Sequence, residues 1–288
     1  MTSDVPSLSD LRREIDLVDD AVHDLLMRRA ALVERVAAAS NSEKPRLLPG
    51  REAQVVRRML ARHHGTLPKV VVVRIWRELF SALRSGRDSF ALAVYMPKRG
   101  AGYLELAHEH YGSYTTATSY TSPSQVIRAV SDGSATIGIL PMPQEDDKSA
   151  WWHTLMGDSA TTPKIIARLP FAAPTIAGRG DGVEAMAIAQ GVQDPAGDDH
   201  TLVVLETASG VSRASLRRVL TDAGLEECAY QGMRTVGDDV WLHLVEVTGY
   251  IPVDDERLRR LQADHGPVQR AAIIGSYAVP LSAAELGL

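Results

Sequence analysis

The chain has 288 residues, 45% of them apolar, a formal net charge of −5 and one cysteine, Cys228. That length suits two or three cores rather than one; a single thiol excludes an internal disulfide and implies no metal cluster. No apolar run reaches the ~18 residues of a membrane helix, and the opening Met-Thr-Ser-Asp-Val-Pro lacks the basic start and apolar stretch of a signal peptide, so a soluble, cytoplasmic protein is expected.

The charge is unevenly spread. Residues 1–90 hold 16 Lys and Arg, 14 of them Arg, against 12 acids, while the remainder holds 15 against 24. An arginine excess favours an anionic ligand; a solvated, salt-bridged helical face is the other reading. Nucleic acid is not expected, because these bases are mixed with acids and lack interleaved aromatics.

From Leu8 to Ala39 apolar residues fall at helical spacing, with Ser7 and Asp10 placed to cap the start. A helix about 48 Å long cannot hide its apolar stripe within so short a segment, so a partner chain and an intertwined homodimer are expected. Residues 51–63 and 68–86 read as two further helices, with Pro68 near the first turn of the second and Gly86 at its end. Then the texture changes. Phe90–Met96, Tyr114–Tyr120 and Thr136–Leu140 read as strands, with helices over Gly102–Tyr111 and Pro123–Ser131 between them, which implies an open, mostly parallel sheet. The stretch 172–200, rich in Gly, Ala and Asp, reads as loose and linker-bearing. Beyond it, strands at Leu202–Glu206, Glu227–Met233, Val240–Val247 and Gln269–Ser276, with helices at Arg213–Ala223 and Asp254–Ala263, give the βαββαβ order of a ferredoxin-like module. The expected organisation is thus multidomain: an all-α dimer domain over 5–90, an α/β lobe over 91–185 and a ferredoxin-like α+β module over 199–282.

Four stretches point to a family: Leu11-Arg12-Arg13-Glu14-Ile15-Asp16, Leu25-Leu26-Met27-Arg28-Arg29, Pro49-Gly50-Arg51-Glu52-Ala53-Gln54-Val55 and Ile75-Trp76-Arg77-Glu78-Leu79. In this order and spacing, residues 5–88 resemble the all-helical chorismate mutases, and the later segments more faintly resemble the dehydratase and ACT-like regulatory parts of bifunctional mutase–dehydratase proteins. The resemblance implies a pericyclic conversion of chorismate to prephenate, which needs no nucleophile, metal or cofactor. Such a site holds two carboxylates and places donors at the breaking ether oxygen, a task of positioning and fixed charge for which arginine forks are suited. By resemblance Arg29 and Arg51 bind substrate, Arg12 reaches into the partner's site and Glu52 accepts from the ring hydroxyl.

The departures are specific. The family's lysine, eleven residues after Arg29, is Ser40; the acid three residues before Arg51 is Leu48; and the polar pair near the end of the third helix is Leu83 and Arg87. If the enzyme is active, Lys44 or Arg87 is expected to supply the missing cation. The dehydratase signature is weaker still. Tyr95-Met96-Pro97-Lys98-Arg99-Gly100 stands at its threonine-bearing turn, Leu140-Pro141-Met142-Pro143-Gln144-Glu145 at its Glu-Asn-Ser, and the chain has no Thr-Arg-Phe. Dehydratase activity is therefore expected to be absent. Gly210-Val211-Ser212 and Ile273-Ile274-Gly275-Ser276-Tyr277 resemble an ACT module, which makes an aromatic amino acid a candidate effector, although Tyr230-Gln231-Gly232-Met233 replaces the rest of that pocket. Trp151, Trp152 and His153 read as core or interface. The nine histidines show no metal-ligand spacing, and no metal is expected. The readings that follow are a mutase feeding aromatic amino-acid synthesis, a non-catalytic sensor of chorismate or an aromatic amino acid, and a lyase acting on isochorismate from the same scaffold.

Overall fold

The computed structural model describes residues 7–39, 47–85, 90–98, 102–144, 150–172, 182–191, 194–237, 239–262 and 266–288. The chain divides into two compact units, Met1–Arg46 and Leu47–Leu288.

Among the described residues the first unit is one helix, α1 (Leu8–Ala39). Its start is capped as the sequence implied: Asp10 N donates to Ser7 Oγ at 3.2 Å, and Ser7 Oγ donates to the Asp10 carboxylate at 2.6 Å. No residue of α1 is buried.

The second unit opens with α2 (Pro49–Ala61) and α3 (Lys69–Ser85). Then come β1 (Ala91–Tyr95), α4 (Tyr103–Tyr111), β2 (Thr116–Tyr120), α5 (Pro123–Ser131) and β3 (Ile137–Pro141). Strands β1, β2 and β3 are parallel, as the alternation of strand and helix requires. A short 3₁₀ turn (Trp152–Met156) precedes β4 (Lys164–Leu169) and β5 (Ala185–Ala189), which pair antiparallel to each other; β5 is also antiparallel to β3. Strand β5 lies inside the stretch that reads as loose from composition. It is fully buried, with Met186 and Ile188 in one core and Ala185, Ala187 and Ala189 in the other, so its small residues mark two covered faces rather than a linker. Trp151 and Trp152 are core residues, each at most 2% exposed.

The last segment holds β6 (Asp199–Ala208), α6 (Arg213–Asp222), β7 (Glu227–Val236), β8 (Val240–Thr248), α7 (Glu256–Leu261), β9 (Val268–Ala278) and α8 (Ala283–Leu286). Its strands lie in the order β9-β6-β8-β7, the ferredoxin-like arrangement expected. They are not a separate sheet. Strand β9 pairs parallel to β4, so all nine strands run β2-β1-β3-β5-β4-β9-β6-β8-β7. One core underlies both halves, from Val126 and Val130 of α5 through Trp152 to Leu244 of β8 and Ile274 of β9. Helices α6 and α7 cover the opposite face of the last four strands with Leu216, Leu220, Leu258 and Leu261.

On that face His243 is 1% exposed and holds two polar partners. Tyr230 Oη lies 2.8 Å from Nδ1 and Thr207 Oγ1 3.2 Å from Nε2. Because the Thr207 hydroxyl donates to Ala208 O, the imidazole donates from Nε2 and accepts the tyrosine proton at Nδ1. Burial, then the charge of Arg213, lowers its pKa to about 4. A basic group with a depressed folded pKa contributes stability that is complete above its unfolded value near 6.5 and is lost as pH falls toward 4. The loss from this one group amounts to roughly 2–3 kcal/mol. Urea midpoints should therefore fall between pH 7 and pH 4.5, and His243→Gln should show a shallower fall than the wild type; equal slopes would show that His243 does not carry it.

Candidate functional site

Helix α1 carries Arg12 and Arg29. Its apolar residues Leu8, Leu11, Ile15, Val18, Val22, Leu25, Leu32 and Val36 recur at alternating spacings of three and four and are all exposed. That is the spacing of a helix–helix seam. Arg29 occupies the next place in the series after Leu25 and is half-buried, whereas Arg12 stands beside the seam and is exposed. Ser40, Lys44 and Arg87 lie outside the described residues.

Arg51 and Glu52 sit together on the first turn of α2. The position before this helix, Leu48, has no side-chain cap to offer, and the cap comes instead from Asp194. Its carboxylate accepts from Gly50 N at 3.2 Å and Arg51 N at 2.8 Å, a strong pairing of an anion with the positive end of a helix. Contact is so close that a Cβ on Gly50 would stand 2.3 Å from Asp194 O. Farther along α2, Gln54 donates to Pro195 O at 3.1 Å and Arg57 to Val279 O at 2.6 Å. The Arg51 side chain is left exposed.

Glu52 points the other way, into α3. Its Oε2 accepts from Arg77 at 3.2 Å and its Oε1 from Arg84. The three side chains are 14%, 5% and 11% exposed, so this is a buried ion cluster with one carboxylate against two guanidinium groups. Aromatic rings wall it: Arg77 lies over Phe171 at 4.7 Å, and Arg84 over Phe90 at 5.3 Å and Tyr111 at 5.8 Å. Burial lowers the Arg77 pKa to about 10, with Glu52 opposing that shift. Burial also pushes the Tyr111 phenol up, and it holds neighbouring His110 well below the usual histidine range with help from Arg77 and Arg84. Arg77 Nε, Arg84 Nε and Nη2, and the Tyr111 hydroxyl are buried with no hydrogen-bond partner among the described residues. A ligand hydroxyl meeting Glu52 would meet a carboxylate already held on both oxygens.

Neither Arg77 nor Arg84 was singled out from the sequence. They are seven apart, hence on one face of α3, but the acid they serve is on another helix and only the packing of α2 on α3 reveals it.

Residues 11–86 match the family model for chorismate mutase type II. The segment that carries Arg12, Arg29, Arg51, Glu52 and Arg77 is thus similar to the chorismate mutase type II family. Among curated proteins, the chain is 26% identical over 159 residues to a bifunctional chorismate mutase/prephenate dehydratase of Stutzerimonas stutzeri, covering 53% of this chain and 43% of that protein. It is 29% identical over 140 residues to the protein of the same description from Aquifex aeolicus, covering 47% and 38%. The chain therefore matches well under half the length of these relatives. Similar solved structures include one described as a novel type of quorum-quenching acylase, GqqA, at 16% identity, 68% and 97% coverage and a TM-score of 0.47. Another is the prephenate dehydratase of Arthrobacter aurescens in complex with L-Phe, at 13% identity, 65% and 90% coverage and a TM-score of 0.48. No helix among the described residues is long and apolar enough to cross a membrane.

Removing the carboxylate of Glu52 would leave two buried guanidinium groups uncompensated. Glu52→Ala should lower the unfolding free energy by about 3–5 kcal/mol, read as a drop in urea midpoint at unchanged m. A loss within the error of the midpoint would show that the cluster is not structural.

Proposed function

We propose that the chain is a chorismate mutase, rearranging chorismate to prephenate for aromatic amino-acid synthesis as a homodimer without metal or cofactor. The observation that carries this reading is the family match over 11–86, with Arg12, Arg29, Arg51 and Glu52 at the spacing of the family's binding residues. Arg29 and Arg51 hold the substrate carboxylates in the folded, reactive geometry, Arg12 enters the partner's site, and Glu52 takes the ring hydroxyl. The reaction breaks and forms bonds within one molecule, so the protein contributes orientation and charge rather than proton transfer. Lys44 or Arg87 stands in for the cation that Ser40 cannot supply. The loss of the threonine from the turn at 95–100, of the Glu-Asn-Ser at 140–145 and of the Thr-Arg-Phe supports a chain without prephenate dehydratase activity. The resemblance of Gly210-Val211-Ser212 and Ile273–Tyr277 to an ACT module supports an aromatic amino acid as effector.

The dimer reading rests on α1, whose apolar series has no cover within the helix itself. The fitting occupant is a second copy, because a series at three-and-four spacing is self-complementary. Sedimentation of the full chain should give a dimer, and Val22→Asp with Leu25→Asp should shift it toward monomer; a monomeric wild type at micromolar concentration would refute the arrangement.

A second reading, a regulatory protein that binds chorismate or an aromatic amino acid without turning it over, draws on the Glu52 cluster and on Ser40. Loss of chorismate absorbance by the purified chain separates the two. Under the mutase reading, Arg29→Ala and Arg51→Ala each lower kcat/KM by at least about tenfold, or roughly 1.4 kcal/mol, and Ser40→Lys raises kcat where neither Lys44 nor Arg87 compensates. Wild-type rates in both alanine variants would refute the site. No turnover in the wild type or in Ser40→Lys would leave the sensor.

A further inference from the structure

Three side chains separated in sequence by successive steps of 28 and 18 residues converge on the C-terminal four strands. His200 is the second residue of β6, Cys228 the second of β7, and Glu246 lies near the end of β8. Pairing brings them together. Strand β6 sets Leu202 opposite Glu246 and His200 opposite Thr248. Strand β7 sets Glu227 opposite Val247 and Ala229 opposite Glu246, which leaves Cys228 as the extra residue of a register shift. One donor atom from each residue lies within 4.8 Å of the others.

One donor–donor edge already has the length that a tetrahedral cation needs. His200 Nδ1 and Cys228 Sγ stand 3.6 Å apart; with metal–nitrogen and metal–sulfur bonds near 2.0 and 2.3 Å, the corresponding tetrahedral edge is about 3.5 Å. Nδ1 and Glu246 Oε1, at 2.5 Å, share a proton in this structure. Replacing that proton by a cation requires the pair to open by just under about 1 Å, to a tetrahedral edge of roughly 3.4 Å.

The carboxylate is the more telling member. Glu246 is 2% exposed, and its ion pair among the described residues is with an imidazole, a partner that is itself charged only when protonated. A carboxylate buried this deeply is costly unless a cation and hydrogen bonds compensate it. The hydrogen bonds are in place: Tyr277 Oη donates to Oε1 at 2.6 Å, and Gln231 Nε2 to Oε2 at 2.5 Å. Such outer groups fix the direction of a ligating carboxylate.

We propose that His200 Nδ1, Cys228 Sγ and the Glu246 carboxylate form a site for a zinc-class divalent cation, with the fourth position open to water or an exogenous donor. One thiolate, one carboxylate and one neutral imidazole balance a charge of two. The mixed sulfur, nitrogen and oxygen set favours a borderline transition ion over magnesium or calcium. On binding, the thiol proton leaves to solvent, and the proton between Nδ1 and Glu246 is given up and taken through solvent to Nε2, so that the neutral imidazole carries its single proton there. Ligands on strands paired across a sheet need no short spacing in the chain, so the histidine pattern carries no sign of this site.

Cys228 is the only cysteine of the chain, so any sulfur signal reports this site alone. The probe is the metal itself, added to full-length protein freed of cations by a chelator. Co²⁺ should give a thiolate-to-metal charge-transfer band and visible bands of tetrahedral intensity, saturating at one equivalent. Zn²⁺ should displace it and slow the reaction of the thiol with a disulfide reagent. Cys228→Ser, a change at an exposed position, should abolish the charge-transfer band. Gln231→Leu should leave all three ligands in place but weaken Zn²⁺ binding by about tenfold or more. Equal thiol reactivity with and without a stoichiometric excess of Zn²⁺ would overturn the proposal. So would a Co²⁺ charge-transfer band that survives unchanged in folded His200→Asn and Glu246→Gln variants, because the thiol would then be binding without its partners.

Discussion

The second unit depends on a point of contact between two backbones. Strand β4 meets β9 where Ile165 lies opposite Gly275, and a Cβ on that glycine would fall 2.2 Å from Ile165 O. Gly275 also adopts φ +151°, outside the range L side chains favour. With glycine there, five strands of an α/β lobe and four strands of a ferredoxin-like module become one sheet. Polar ties follow the joint: Lys164 Nζ donates to Ile273 O at 3.2 Å, and Arg270 to Met156 O at 3.2 Å. The shared core beneath then buries Trp152, Tyr277 and the polar groups that Tyr277 serves. Without that approach, the face carrying His200 and Glu246 would be the surface of a small module rather than part of a large core.

Charge in this molecule is handled across long sequence separations. Asp194 caps a helix that begins 145 residues earlier, Glu52 is met by arginines 25 and 32 residues on, and Glu246 by His200 across 46. Each acid is paired by packing rather than by neighbours in the chain. That is the expected result when buried carboxylates must be compensated wherever the fold leaves them.

Periodicity and caps made much of the architecture legible in the sequence. The 3.6-residue repeat of Leu8–Ala39, with Ser7 as cap, specifies α1 to the residue, and Pro123 after Ser122 does the same for α5. The βαββαβ order of the last segment follows from its alternations. Strand β5 was hidden because alanine is a poor strand former and its role is set by two cores that exist only after β3 and β4 are in place. For the candidate site, Arg12, Arg29, Arg51 and Glu52 were readable from resemblance, but the tie of Glu52 to Arg77 and Arg84 was not: nothing in the order of residues says which way a carboxylate turns on its helix. The trio of His200, Cys228 and Glu246 was illegible for a similar reason, since a one-residue bulge in β7 decides whether Cys228 joins it.

The grip of Asp194 on α2 decides where this chain can be divided. Ala53, Val56 and Leu60 of α2 and Val73 and Phe80 of α3 share a core with Phe171, Ala196, Leu281 and Leu286. The change of texture near residue 90 is therefore no break in the packing, and the compact unit begins upstream, at Leu47. Helices α2 and α3 form a layer of the sheet domain that follows them. The segments before and after residue 90 are therefore not cassettes that protein engineering can exchange independently. Cutting there would strip a helix of its cap and open a hydrophobic core on both fragments.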